Sequence, residues 1–217
     1  MAYYPVFLEL SGRPCLVIGG GDVAQRKVEG LLAAGARVVV VSPSLTPALE
    51  ALRDVGRITQ MAREYSPGDL RGYVLAIVAT DDGAVNARVA QEGRNLGVWV
   101  NAVDDPQSCD FIVPSVVRRG DLVIAISTGG QSPALARRVR EELEAIVPEE
   151  YAQLLELATQ VREELRGRGV SADAALWNAA LTPELRGLLA QGRWGEARRA
   201  LLAALGALEE APPSSRQ

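Results

Sequence analysis

The sequence contains no histidine, and this absence excludes histidine as a general base, a general acid or a metal ligand. Any proton transfer therefore depends on carboxylate, tyrosine, cysteine or serine side chains. The chain has only two cysteines, Cys15 and Cys109, too few for a disulfide framework or a cysteine zinc site. We expect both to be packed thiols rather than reactive ones.

Membrane segments and an excess of basic charge are also missing. No apolar run approaches the roughly 18 residues of a membrane-spanning helix, and no leader peptide pattern opens the chain. A net charge of -4 argues against a general nucleic-acid-binding protein. The 48% apolar and 23% charged residues are typical of an ordinary globular protein. The sequence therefore predicts a soluble, cytoplasmic protein.

A glycine-rich turn near the start of the chain organises the rest. Residues 15–19 form a short apolar run that predicts a buried parallel strand. Helical spacing begins at Asp22 and ends before Gly35, and a second apolar run follows at 38–41. This order of strand, glycine turn, helix and strand has the length of one βαβ unit.

The turn carries the dinucleotide-binding fingerprint with alanine as its last residue. Gly19 makes the tight turn, Gly21 allows the pyrophosphate to approach, and Ala24 lets the helix pack on the strand. The free N–H groups at the helix N-terminus would bind the phosphates. Because both strands and the helix accompany the fingerprint, a nucleotide site explains this segment better than a merely tight turn.

The end of the second strand departs from the fingerprint. An acidic residue normally binds the ribose hydroxyls there, but this chain has Ser42, Pro43 and Ser44. Ser42 or Ser44 can hydrogen-bond a ribose, yet no carboxylate repels a 2′-phosphate. The choice between NAD and NADP is therefore left open by these residues.

Further apolar runs alternate with helical segments and predict a doubly wound parallel sheet. A leading strand is expected at 5–10, and further strands at 57–61, 73–80 and 98–100. Ligands bind beyond the carboxyl ends of such strands. We expect one rim to carry the glycine turn, Ser42, Thr80, Asp81, Asn101 and Asp104.

Without histidine, the carboxylates of the loop after Asn101 are the natural candidates for a general base. Asp104 should project toward the nicotinamide end of a bound cofactor. Asp104 and Asp105 cannot share a face in extended chain, so one of them would face solvent or form a turn before Pro106. Taken alone, an aspartate that only forms a turn is the commoner explanation.

The pattern changes after Cys109. Strands at 111–113 and 122–127 with a turn at 118–121 predict a hairpin, and a helix is expected over 134–146 with Ser132 as its N-cap. The glycine turn before that helix is a second candidate anion site. A plain capping loop is an equally good interpretation. The candidate substrate contacts here are Thr128, Gly129, Gly130, Ser132, Arg118, Arg119 and Arg137.

Six segments, in order, resemble the precorrin-2 dehydrogenase family, which includes the dehydrogenase and ferrochelatase part of siroheme synthase. They read GGGDVAQRK, LLAAGARVVVVSP, VLAIVATDD, VNAVDDP, CDFIVPS and AISTGGQSPALARRVRE. The resemblance runs from about residue 4 to residue 148. The tail after residue 148 resembles the family only in its general helical character.

The resemblance implies NAD-dependent oxidation of precorrin-2 to sirohydrochlorin, with a catalytic aspartate at Asp104 and NAD contacts at Asp22, Val23, Pro43 and Ser44. Some members also insert ferrous iron, for which Asp104 is the candidate ligand here. It implies a homodimer whose middle segment forms the interface and helps to build each active site. No nucleic-acid or membrane partner is expected.

The expected fold is α/β, with a Rossmann-like parallel sheet domain, a small α+β dimerisation segment and a C-terminal helical domain. The expected boundaries are 1–113, 114–147 and 148–209, followed by a disordered tail at 210–217. Two other functions remain open: a non-catalytic NAD-sensing regulatory domain, and a chelatase without redox activity.

Overall fold

The computed structural model describes residues 3–207, which fall into two compact units. The first contains the described chain through Val113 together with Gly129–Gln131. The second contains Pro114–Thr128 and the described chain from Ser132 onward. The proposed disordered tail at 210–217 lies outside the described residues.

A five-stranded parallel sheet forms the centre of the first unit, in the order β3-β2-β1-β4-β5. β1 occupies the centre because apolar residues on both of its faces are wholly buried, as a two-sided parallel sheet requires. The strands are β1 Pro14–Ile18, β2 Arg37–Val41, β3 Ile58–Met61, β4 Leu75–Val78 and β5 Trp99–Ala102.

Helices cover both faces of this sheet, as the alternation of strands and helices predicts. The helices are α1 Asp22–Ala33, α2 Pro47–Asp54 and α3 Gly83–Leu96. α1 and α2 pack with Val17 and Val40 on one face, whereas α3 packs with Leu16 and Val78 on the other. The Rossmann-like fold class is therefore confirmed, and it brings the carboxyl ends of all five strands to one rim.

Two predicted strands are wrong. Residues 5–10 have no strand structure, and Val6 and Phe7 are exposed, so their weak alternation has no neighbouring strand to pair with. Residues 111–113 are not a strand either. This segment is attached to β5 instead, because the backbone N–H of Asp110 donates to the carbonyl of Val100 at 2.8 Å.

The first strand of the predicted hairpin lies a few residues later than expected, whereas the second strand, expected at 122–127, is confirmed. β6 Ser115–Arg119 pairs antiparallel with β7 Leu122–Ile126, so Arg118 and Arg119 belong to a strand and not to the turn. α4 Pro133–Ile146 follows. Its start is confirmed, since the Ser132 hydroxyl accepts the backbone N–H of Leu135 at 3.2 Å and Pro133 occupies the first turn.

The remaining described helices form a separate apolar core within the second unit. They are α5 Glu150–Gly167, α6 Ala174–Ala180, α7 Pro183–Ala190 and α8 Trp194–Ala204. Leu157, Val161 and Leu201 are fully buried in that core, and Trp177 is 9% exposed. No helix among residues 3–207 is both long and apolar enough to cross a lipid bilayer.

Candidate active site

The turn between β1 and α1 is shaped by three consecutive glycines. Gly19 has a φ of +116°, and a Cβ at this position would clash with the carbonyl oxygen of Ala79. A Cβ on Gly20 would clash with the carbonyl oxygen of Ser44. Gly21 differs, because its φ of −83° suits any residue and a Cβ there would meet nothing within 4 Å. Of the three glycines, Gly21 is therefore the one beside which the protein leaves open space for a ligand.

The N-terminus of α1 opens directly after Gly21. Gly21 is the N-cap and supplies no side-chain acceptor, so no capping side chain binds the first-turn N–H groups of α1. Free N–H groups and the positive end of the helix dipole favour a bound anion. Together with the space beside Gly21, this geometry fits the pyrophosphate of a dinucleotide.

Ser42 follows β2 directly and is 6% exposed. Its hydroxyl donates to the carbonyl of Ser44 at 2.6 Å, while its own carbonyl accepts from the Gln60 amide at 3.0 Å. The hydroxyl proton of Ser42 is thus engaged in a hydrogen bond within the loop that follows β2. Pro43 and Ser44 are exposed, which leaves the Ser44 hydroxyl as the more accessible group for a ribose.

A cleft of about 430 Å³ lies at the carboxyl ends of β4 and β5. It combines side chains from the fingerprint helix, the two loops after these strands and α3. Its lining residues are Val23, Ala79, Thr80, Asp81, Gly83, Asn86, Val103, Asp104 and Asp105. The structure therefore brings four predicted residues together in one cleft, namely Val23, Thr80, Asp81 and Asp104.

Sequence reasoning missed several residues that line this cleft. Asn86 is buried, and its carbonyl oxygen accepts the Thr80 hydroxyl at 3.2 Å. Asp82 does not line the cleft but accepts the N–H groups of Ala84 and Val85, capping α3. The helical position of Asn86 at the start of α3, facing the strand ends, is the signal that could have identified it.

The backbone of Asp104 is unusual. Among the described residues it is the one non-glycine residue with a positive φ, at 61°, a conformation that costs free energy outside glycine and is found more often at functional sites. Asp105 follows it in a turn, with its N–H donating to the carbonyl of Ala102 at 3.3 Å. The Asp104 side chain is exposed and lines the cleft.

The only lysine of the chain, Lys27, lies one helical turn after Val23 and is half-buried. Burial and the charge of Arg26 lower the pKa of its ammonium group, while the charge of Asp104 acts in the opposite direction. Lys27 is therefore within electrostatic reach of the candidate base. The sequence alone is equally consistent with a Lys27 side chain that faces a ligand and with one that lies on a solvated helix face.

Asn101 and Cys109 hold the segment after β5 against that strand, whereas Cys15 is buried in β1. The Asn101 amide donates to the carbonyl of Phe111 at 2.8 Å, and the Cys109 thiol donates to the carbonyl of Ala102 at 3.1 Å. Burial raises the pKa of the Cys109 thiol and raises that of Cys15 to about 11. Both thiols are thus protonated at neutral pH. A substrate contact of Asn101 stays a prediction.

The second glycine turn is closed by one side chain. The Thr128 hydroxyl accepts the N–H of Ser132 at 3.0 Å and donates to the Ser132 carbonyl at 3.0 Å. Between them, Gly129 and Gly130 have φ values of 65° and 81°, which glycine adopts without strain. The residues of this turn are ordered by their own contacts, and substrate binding by them stays a prediction.

The candidate arginines of the second unit differ in environment. The Arg119 guanidinium donates to the carbonyls of Val147 and Glu144, at 2.7 and 3.0 Å, so it holds the C-terminus of α4. Arg118 and Arg137 are exposed. Arg118 and Arg137 are therefore better placed than Arg119 to meet a ligand from solvent.

No group of three cysteine, aspartate or glutamate side chains within residues 3–207 has the arrangement of a metal site. Asp104 as an iron ligand accordingly stays a prediction. Two carboxylates, Asp104 and Asp105, are the acidic groups that the cleft offers near its β5 side.

Two family models match the chain. The one described as putative NAD(P)-binding covers residues 6–115, just over half of the 217 residues. The one described as sirohaem biosynthesis protein central covers residues 119–146. The first match contains the fingerprint, and the second contains β7, the second glycine turn and α4.

Curated relatives extend these matches over most of the chain. Siroheme synthase 2 of Aeromonas hydrophila subsp. hydrophila is 42% identical over 197 residues, 89% of this chain and 42% of that protein. The siroheme synthase of Methylobacillus flagellatus is 46% identical over 168 residues, 77% of this chain and 36% of that protein. The chain thus spans less than half the length of these relatives.

A solved structure is also similar, over most of this chain and nearly all of its own. SirC, precorrin-2 dehydrogenase, matches with a TM-score of 0.74 and 28% sequence identity, over 89% of this chain and 98% of that chain.

Proposed function

The chain belongs to the family of precorrin-2 dehydrogenases and of the matching part of siroheme synthases, and on this premise we propose that it oxidises precorrin-2 to sirohydrochlorin with NAD. The observation that carries the proposal is the cleft in which the fingerprint helix and Asp104 meet. A cofactor held at the first site and a substrate beside Asp104 would therefore be neighbours.

The reaction removes two hydrogens from the substrate. Bound NAD supplies the acceptor for the hydride, which leaves with both bonding electrons. The other hydrogen leaves as a proton, and the Asp104 carboxylate accepts it. In support of this role, Asp104 has a positive φ, a backbone conformation found more often at functional sites, and its charge acts on the ammonium group of Lys27.

Recognition of the substrate follows from its carboxylate groups. Arg118 and Arg137 would bind carboxylates as planar forks, and the backbone N–H groups of the 128–132 turn would bind others. Arg118 and Arg137 belong to the second unit, whereas Gly129–Gln131 of the turn belong to the first. We propose a domain boundary after Val113, where the main segment of the first unit ends. A further boundary between 147 and 148 is part of the same proposal.

The proposed homodimer is supported by the two-stranded hairpin. No third strand in the described part of the chain pairs with the outer edges of β6 and β7, and Leu122, Val123 and Ile124 are only half-buried. Apolar, open strand edges favour association with another chain. We expect sedimentation velocity to give twice the mass of one chain, and a monomer at micromolar concentration would contradict the dimer.

The activity is tested by incubating the purified protein with precorrin-2 and NAD and following NADH absorbance. Asp104→Asn is the informative variant, because asparagine tolerates the left-handed backbone but cannot accept the proton. We expect it to bind NAD normally and to lose at least about a hundredfold in turnover. Asp105→Asn, its neighbour in the same cleft, is the matched comparison and should retain most of the activity.

Normal turnover in Asp104→Asn would remove Asp104 from the mechanism. NAD binding without any NADH from the wild-type chain would favour the sensing domain instead. Incubation with ferrous ion and sirohydrochlorin, followed by siroheme absorbance, tests the chelatase. A chelatase without redox activity would form siroheme there but no NADH from precorrin-2 and NAD. The cytoplasmic location is part of the proposal and is tested by cell fractionation.

A further inference from the structure

The end of β3 carries a guanidinium beside the position where the cofactor ribose would lie. Val41 is paired with Met61, and the N–H of Ser42 donates to the Met61 carbonyl at 3.1 Å. The N–H of Arg63 donates to the same carbonyl at 2.8 Å. Arg63 therefore adjoins the end of β2, where dinucleotide-binding folds recognise the ribose 2′ position.

Arginine at this place usually accommodates the 2′-phosphate of NADP, but Arg63 is already occupied. Its two terminal nitrogens donate to the two oxygens of Asp69, both at 2.7 Å. One of them also donates to the carbonyl of Glu64 at 2.9 Å, and the other contacts the Met61 sulfur at 3.5 Å. Each terminal nitrogen thus makes two contacts within its own loop.

Asp69 is fixed more firmly than Arg63. Its side chain is 9% exposed, against 46% for Arg63, and it accepts the backbone N–H of Ser66 at 2.9 Å. Hydrogen bonds from Arg63 hold the pKa of this carboxyl below its usual range, so it is charged at neutral pH. The pair brings no net positive charge to the ribose position.

We infer that Asp69 is a specificity-determining residue, which keeps Arg63 away from a 2′-phosphate and thereby makes the site select NAD over NADP. The carboxylate acts in two ways: it uses the guanidinium fork that would bind the phosphate, and it repels the phosphate charge. The other cation of this region, Arg53, is likewise engaged, by Gln60 at 2.9 Å and Asp54 at 2.8 Å. The inference rests on the proposed use of NAD.

The test measures binding of two probes, 2′,5′-ADP and 5′-AMP, by calorimetry, without any catalytic step. Asp69→Asn keeps an oxygen for the Ser66 N–H but releases the fork of Arg63. We expect it to bind 2′,5′-ADP at least about tenfold more tightly than the wild type, which is about 1.4 kcal/mol, with 5′-AMP changed by less than about twofold. Adding Arg63→Gln to this variant should abolish the gain.

Glu64→Gln is the matched control, because it removes one negative charge from an exposed side chain beside Arg63 and keeps the backbone carbonyl that accepts from Arg63. It should bind both probes as the wild type does. Asp69→Ser repeats the test with a hydroxyl that can still accept from Ser66. If 5′-AMP binds but neither Asp69 variant gains affinity for 2′,5′-ADP over Glu64→Gln, the inference is overturned while the proposed function stands. Failure of every variant to bind 5′-AMP would overturn both.

Discussion

Gly19 lies against the carbonyl group of Ala79 so closely that no side chain fits between them. The contact follows from the parallel pairing of β1 and β4, because the N–H of Ala79 donates to the carbonyl of Ile18 at 2.8 Å. The backbones of the two strand ends are thus hydrogen-bonded at the position where the chain turns. The first glycine of the fingerprint is therefore required by the fold itself.

Gly19→Ala should destabilise the first unit. The variant forces a side chain into a backbone with a φ of +116° and against the Ala79 carbonyl carbon at 2.9 Å. Strain and displacement together should lower the free energy of unfolding by about 2–4 kcal/mol. Urea unfolding monitored by circular dichroism measures this, and wild-type stability in the variant would show that the turn adopts another conformation.

Gly21→Ala should leave the stability of the first unit nearly unchanged but weaken NAD binding. Its φ of −83° suits alanine and the space beside it is open, so the free energy of unfolding should change by less than about 1 kcal/mol. The added methyl group would occupy the space assigned to the pyrophosphate. We expect NAD affinity to fall at least about tenfold in a calorimetric titration, and unchanged affinity would place the phosphates elsewhere.

The strands β1, β2 and β4 could be predicted because they are almost wholly apolar runs, a pattern set by burial on both faces. The hairpin could not be placed as well. Arg118 and Arg119 suggest a turn, yet they occupy β6, where Arg118 is exposed to water and Arg119 donates to the carbonyls at the end of α4. Residues 111–113 suggest a strand, but Pro114 follows them and the Phe111 carbonyl is taken by Asn101.

The residues of the cleft were predictable to the extent that they follow strand ends. Thr80, Asp81 and Asp104 meet there because parallel strands end on one rim. Hydrogen-bond partners in neighbouring loops and strands could not be predicted. The contact of Ser42 with Gln60 and that of Arg63 with Asp69 depend on how these segments fold. These contacts decide which side chains are free for a ligand.

Thr128→Val should loosen the second glycine turn. The substitution removes the hydroxyl that both accepts from and donates to Ser132, at a cost of roughly 1–2 kcal/mol. If the turn binds substrate carboxylates, KM for precorrin-2 should rise several-fold while KM for NAD stays the same. Thr128→Ser retains the hydroxyl and should behave as the wild type. An equal rise in both KM values would indicate a general loss of structure.

Arg119→Met should act on stability and not on substrate binding. The Arg119 side chain is 13% exposed and donates to the carbonyls of Val147 and Glu144 at the end of α4. Because methionine keeps the apolar length but has no donor, these carbonyls lose their partners and the free energy of unfolding should fall by roughly 2 kcal/mol.

Arg137→Met, on the exposed side of α4, is the matched comparison. It should leave stability within about 0.5 kcal/mol and raise KM for precorrin-2, as measured by the NADH assay. A reversed outcome, with Arg119→Met stable and weak in substrate binding, would assign the carboxylate contact to Arg119.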